Sequence, residues 1–134
     1  MPEMESVVKT RLDTHSGLGA LISDRIYGLV LPQNPTYPAV TYQRIDTDPM
    51  EGMTQDHGIT DVLFQVDVWA ATYPSAKSVS AQVRTCMKRH TDAATDPVWL
   101  DTFLENELDD YEPNLESGEG VFRVIHTYKV QHRE

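Results

Sequence analysis

The stretch Asp61 to Thr72, DVLFQVDVWAAT, constrains the fold more than any other part of this chain. Val62, Phe64, Val66, Val68 and Ala70 fall on one side of a period of two, and Gln65, Asp67 and Trp69 on the other. Alternation of this kind, rich in valine and aromatics, predicts a strand with one buried face. At Tyr73-Pro74-Ser75 the period changes from two to about 3.6 residues. Proline suits the first turn of a helix, where its missing N–H leaves nothing unsatisfied. Ala76, Val79, Val83, Cys86 and Met87 then recur on one helical face. A strand feeding directly into an amphipathic helix is the central unit.

The flanking sequence supplies further elements. Glu3 to Thr14 reads as a short helix with Met4, Val7, Val8 and Leu12 on one face, stopped by Gly17 and Gly19. Leu18 to Ile22 suggests one further turn, and Ile26 to Leu31 a brief strand. Four prolines and asparagines from Leu31 to Pro38 make a turn-rich connection, after which Ala39 to Asp46 alternates as a strand. Thr47 to Gly58 has no apolar period and reads as a long loop. Trp99 to Tyr111 is ambiguous. Leu100, Phe103, Leu104, Leu108 and Tyr111 fit a helical face, whereas Glu105, Glu107 and Asp109 alternate as on a strand, and local pattern slightly favours the helix. Pro113 to Gly120 is a turn, and Val121 to Gln131 is an alternating strand. The sum predicts one α+β domain over residues 1–134, with a mostly antiparallel sheet of about four strands and two main helices on one face. The other face, carrying Gln65, Asp67, Trp69, Thr127 and Lys129, is expected to stay polar.

Charge separates the classes of partner. The net charge of −10 has a single source: ten acids and no lysine or arginine lie between Arg89 and Arg123. Elsewhere eleven acids balance eleven basic residues. Such an excess opposes sequence-specific binding to nucleic acid, where affinity comes mainly from lysine and arginine on phosphate. No apolar run approaches the ~18 residues needed to cross a bilayer, and MPEMESVVKT lacks the basic and apolar regions of a secretory signal, so no membrane partner is expected. The one cysteine, Cys86, fits a reducing compartment.

Chemistry is sparse. The chain has no phosphate loop, HExxH, nucleophile elbow or CxxC pair, and its five histidines have no metal-ligand spacing. His126 falls among inward-facing strand residues and reads as a hydrogen-bonded core histidine; Cys86 reads as a small buried hydrophobe. Asp46, Asp48, Glu51, Asp56 and His57 could hold a hard cation, but lack the glycine and terminal glutamate of an EF-hand; a solvated loop is the plainer reading. Glu105, Glu107 and Asp109 invite a paired-carboxylate reading, yet nothing else suggests a sugar cleft. No catalytic residue, cofactor or metal site is assigned.

The order of motifs resembles a known family. LGALISDRIYGLVLPQNPTYPAVTYQRI is similar to the opening of the tail completion, or tail terminator, proteins of long-tailed phages, through Leu21, Arg25, Ile26, Tyr27, Pro32, Gln33, Pro38 and Tyr42. FQVDVWAATYPSA resembles the family's second block, and DDYEP followed by VFRVIHTYKV its third. Thr47 to Gly58 and the acidic ESGEG at 116–120 depart from the pattern. The resemblance implies that Trp99 to Leu108 is a strand paired with Val121 to Gln131. It also implies a structural protein of the virion, at the head-proximal end of the tail and in the host cytoplasm during assembly. Such subunits form a closed ring, usually a hexamer, that caps the tail tube and meets the head connector.

The expected partners are therefore further copies of this chain, the tail tube protein and the head–tail connector protein, with DNA only in transit. Tyr42, Arg44, Asp48, Glu51 and Asp56, on the second strand and the following loop, are expected at subunit contacts. Glu105, Glu107, Asp109 and Asp110 either face a lumen, where carboxylates repel phosphate, or form an acidic outer rim. A head-closure or neck protein, an intracellular non-catalytic binding module and an acidic metal-dependent enzyme are the alternatives.

Overall fold

The computed structural model describes residues 4–33, 35–51, 56–95, 97–113 and 120–133, with side chains of 47–58 outside that description. The Asp61 to Thr72 pattern forms as expected. Strand β3 (Asp56–Ala70) has Val62, Phe64, Val66, Val68 and Ala70 all buried, and it leads straight into helix α3 (Tyr73–Met87). Thr72 caps that helix by accepting the Ser75 N–H, with proline in the first turn. Ala76, Val79, Val83, Cys86 and Met87 turn inward onto the sheet.

Helix α1 (Met4–Thr14) adds Met4, Val8 and Leu12 to the same core. Helix α2 (Ser16–Ile22) is longer than the single turn expected, and it contains the two glycines read as a stop. His15 caps it through Nδ1, which accepts the Leu18 N–H. A Cβ at position 17 would meet the side-chain amide of Gln82 on α3, a group that can shift.

The sheet corrects the expected architecture. Among the described residues it has five strands in the order β1-β2-β3-β5-β4 and is mixed, where a mostly antiparallel sheet of about four strands was expected. Strand β1 (Ile26–Gly28) pairs parallel to β2 (Ala39–Glu51), and the other neighbours are antiparallel. Three residues are too few to display a period, which is why β1 is faint in sequence. Three helices contribute to the buried core on one sheet face, where two main ones were expected.

Strand β4 (Val98–Glu112) pairs with β5 (Val121–Arg133) along its length. The resemblance-based expectation of a strand here holds, and the local leaning toward helix does not. An apolar spacing compatible with both forms is decided by the row of backbone partners that β5 offers, which no local pattern contains. The segment read as a loop from Thr47 to Gly58 is also largely strand: β2 runs on to Glu51 and β3 begins at Asp56. Residues 52–55 lie outside the described residues.

Candidate assembly surfaces

Backbone pairing of β2 with β3 extends from Ala39↔Trp69 to Glu51↔Asp56, whereas β5 accompanies β3 only from Ile59 onward. Among the described residues, the outer hairpin therefore runs past β5 as a two-stranded arm. Such ribbons are marginal alone, so this one is suited to gaining stability from something it touches. The structure places Glu51 and Asp56 on this arm, opposite each other, and Asp48 below it, opposite Asp61, which is still paired with Gln131 of β5; the side chains of all three lie outside the described residues. Tyr42 and Arg44 sit lower on β2, on the helix side. Tyr42 packs against the core, and Arg44 Nε is 3.1 Å from Glu5 Oε1 of α1. Among the described residues no group of three His, Cys, Asp or Glu side chains converges as a metal site.

The acids of β4 divide between two faces, because register shifts at Trp99/Asp101 and Leu104/Asn106 break its alternation. Glu107 and Asp109 point to α3. Glu107 Oε1 lies 2.7 Å from Arg84 Nη1; Asp109 lies 3.3 Å from Lys77 Nζ and accepts the Tyr73 hydroxyl. That hydroxyl bond, with Lys77 behind it, holds the Asp109 carboxyl below the usual carboxylate range. Glu105 lines a hollow on the opposite, open face with Asp46, Asp61, Thr127 and Lys129. Asp110, opposite Arg123 in the register, uses Oδ1 to accept the next backbone N–H. The four acids expected to act as one surface are thus two ion-paired braces and two open carboxylates.

Behind Glu107 lies a closed proton chain. The Tyr128 hydroxyl is 2.7 Å from His126 Nδ1, His126 Nε2 is 2.8 Å from Ser80 Oγ, and Ser80 Oγ is 3.1 Å from Glu107 Oε1. With Tyr128 donating to Nδ1, the Nε2–H donates to Ser80 and Ser80 donates to the carboxylate, so one neutral tautomer satisfies every group. Burial raises the Tyr128 pKa, keeping its proton in place. Although serine, histidine and carboxylate meet here, the serine is buried and gives its proton to the carboxylate. An activated nucleophile needs its base to take that proton. The arrangement is a core brace, as the position of His126 in the alternating strand predicts. Cys86 is likewise buried, and burial pushes its thiol up to about 11, far from a reactive thiolate.

The open sheet face is polar as expected, but tightly knit. Arg123 stacks 4.6 Å from the Trp69 ring centroid, with Nη2 at 2.6 Å from Asp67 and Nη1 at 3.1 Å from Glu112. Gln65 Nε2 donates to Asp67, and the Trp69 indole donates to Thr41. Asp67 is consequently almost fully buried on the face opposite the helices.

Sequence reasoning missed exposed apolar groups at the two sheet edges. Beside β1, Leu29 and Val30 are 66% and 68% exposed. They belong to the apolar run from Ile26 to Leu31 read as a strand, which ends at Gly28. At the β4 edge, Tyr73 and Tyr111 are each nearly half exposed and flank Phe122, with ring centroids 5.8 and 4.8 Å from it. The Tyr111 ring lies over Gly120, where any Cβ would strike it and the Glu112 carbonyl.

Comparison with known proteins accords with this architecture. The family model described as tail completion protein gp17 matches residues 6–130. Among solved structures, a chain in the "Virion of native gene transfer agent (GTA) particle" superposes with a TM-score of 0.64 at 14% identity, over 95% of this chain and 92% of that one. At that identity the likeness is one of fold. No curated protein sequence gives a significant match.

The buried brace generates a pH dependence. Burial lowers His126 from 6.5 to about 4, with Arg84 and Lys77 acting in the same direction and Glu107 and Asp109 opposing. A histidine depressed on folding contributes its full stability above its unfolded pKa and loses it as pH falls through the folded one. Stability should therefore drop by roughly 3 kcal/mol between about pH 6.5 and pH 4. His15 and His90 are also lowered, mainly by burial, and act in the same sense, so ring-resolved NMR is the decisive readout. His126 should remain neutral at about pH 5; protonation near 6.5 would contradict the brace.

Proposed function

The chain belongs to the tail completion protein gp17 family, a structural component of the phage virion tail, and from that premise we propose that it caps the tail tube as a closed ring and forms the tail-side joint to the head connector. Six copies is the stoichiometry implied by the resemblance. The observation that carries this reading is the β2–β3 arm, whose paired backbone continues past the last described partner on β5. A hairpin of this kind leaves apolar-poor, hydrogen-bonded backbone beyond the core, available to a neighbouring subunit, the tube or the connector. Tyr42, Arg44 and Asp48 lie on the part of β2 below the arm, while Glu51 and Asp56 ride on the part that reaches out.

Shortening the arm tests this directly. Replacing residues 51–58 by Asn-Gly joins Met50 to Ile59, which face each other in the register, through a two-residue turn. The domain should fold with an unchanged thermal transition, and ring formation on purified tubes should be lost. An unaltered ring would remove the arm from the assembly.

The open carboxylates extend the proposal. Glu105 and Asp110, not the braced Glu107 and Asp109, are the acids free to face DNA in transit. Carboxylates lining a passage repel phosphate over the roughly 8 Å that physiological salt allows, so DNA slides without sticking. Glu105→Lys with Asp110→Lys should leave stability nearly unchanged and slow DNA ejection, measured as a loss of infectivity in assembled particles. Normal ejection would assign these acids to an outer rim.

A further inference from the structure

The two edges of the sheet are unlike, and each carries an unsatisfied feature. At the β1 edge, Leu29 adopts φ +69°, a conformation leucine rarely takes, and projects a side chain that is 66% exposed. The backbone is fastened there by the Leu29 N–H to the Tyr42 carbonyl and by the Val30 N–H to the Gly28 carbonyl, both at 2.8 Å. Strain and apolar exposure at two adjacent residues are both costs in the isolated subunit, and burial against another surface offsets them. At the β4 edge, Tyr73, Asp109, Asp110, Tyr111 and Phe122 line a shallow aromatic hollow.

Charge decides which edge meets which. Strand β4 contains six acids and no lysine or arginine. Two such edges brought together across a two-fold axis would oppose like charges. Residues 1–45 instead balance four acids against four basic residues. Arg25, at the start of β1, gives its guanidinium to the Pro38 and Leu21 carbonyls and has no carboxylate partner among the described residues. An acidic edge therefore finds its complement on the opposite edge of another copy. Such a head-to-tail contact repeats, and closes into a ring when its rotation allows.

We infer that the Leu29–Val30 knuckle of one copy seats in the Tyr73–Tyr111–Phe122 hollow of the next, with Arg25 on the side of its acidic β4 edge. The inference rests on the ring reading above and names the surfaces that would join its subunits. It differs from the arm contact, which reaches from the far end of the β2–β3 hairpin.

The test mixes a Val30→Cys variant with a Tyr111→Cys variant on tail tubes under mild oxidation, with the wild type, whose only cysteine is buried, as control. The mixed adduct should exceed either homodimer by roughly tenfold, the factor that 1.4 kcal/mol of preference gives. Leu29→Gly provides an independent readout. Glycine adopts the positive φ freely, so the monomer should melt at the same temperature or higher, while half-assembly should need about tenfold more protein, as loss of one buried leucine implies. Rings that form normally without the mixed adduct, or with Leu29→Gly at wild-type concentration, overturn this contact and leave the ring intact. A Tyr111→Cys homodimer as the main product overturns the head-to-tail order. Wild-type protein that makes no ring on tubes overturns both readings.

Discussion

Everything in this molecule hangs on the apolar contact between β3 and α3. The row Val62, Phe64, Val66, Val68 and Ala70 is closed to solvent from above by Val79, Val83 and Met87, and no more than two residues separate the strand from the helix. Because β3 is the central strand, its register fixes β2 on one side and β5 on the other, and β5 in turn fixes β4. The position of every surface discussed above follows from that chain of pairings. A one-residue slip would turn the whole buried row outward, so the register is strongly specified.

Legibility tracks how much of each element is buried on one side. Strand β3, helix α3, helix α1 and strand β5 were legible because one face of each meets the core and the period records it. The outer half of the β2–β3 hairpin was not, because no core lies under it: Thr47 to Gly58 reads as loop although most of it is hydrogen-bonded strand. Strand β4 was hidden by its own bulges. Glu105, Glu107 and Asp109 look like one face in sequence, yet the shift at Leu104/Asn106 sends Glu105 to the open side and its neighbours to α3. Leu29 and Val30 passed as strand residues because hydropathy cannot distinguish a side chain that enters a core from one held in water.

The acidic segment shows how one composition serves two purposes. Glu107 and Asp109 answer Arg84 and Lys77 and tie the edge strand down to α3, and Asp101 faces Arg89 just past its end. Exposed pairs of this kind contribute little individually, but Glu107 also completes the buried chain from Tyr128 through His126 and Ser80. The remaining charge lies along an open edge, where bulges and carboxylates disfavour indiscriminate strand pairing. Six carboxylates on one edge strand also oppose its pairing with the same edge of another copy.

If copies of this chain repeat head to tail and close, the mass of the assembly reports it. Multi-angle light scattering over a concentration series, with purified tail tubes then added, reads the free and the docked states in one experiment. The account predicts a discrete ring of about six subunits, either in free solution or on the tube end. A species that remains monomeric alone and fails to join the tubes would contradict it.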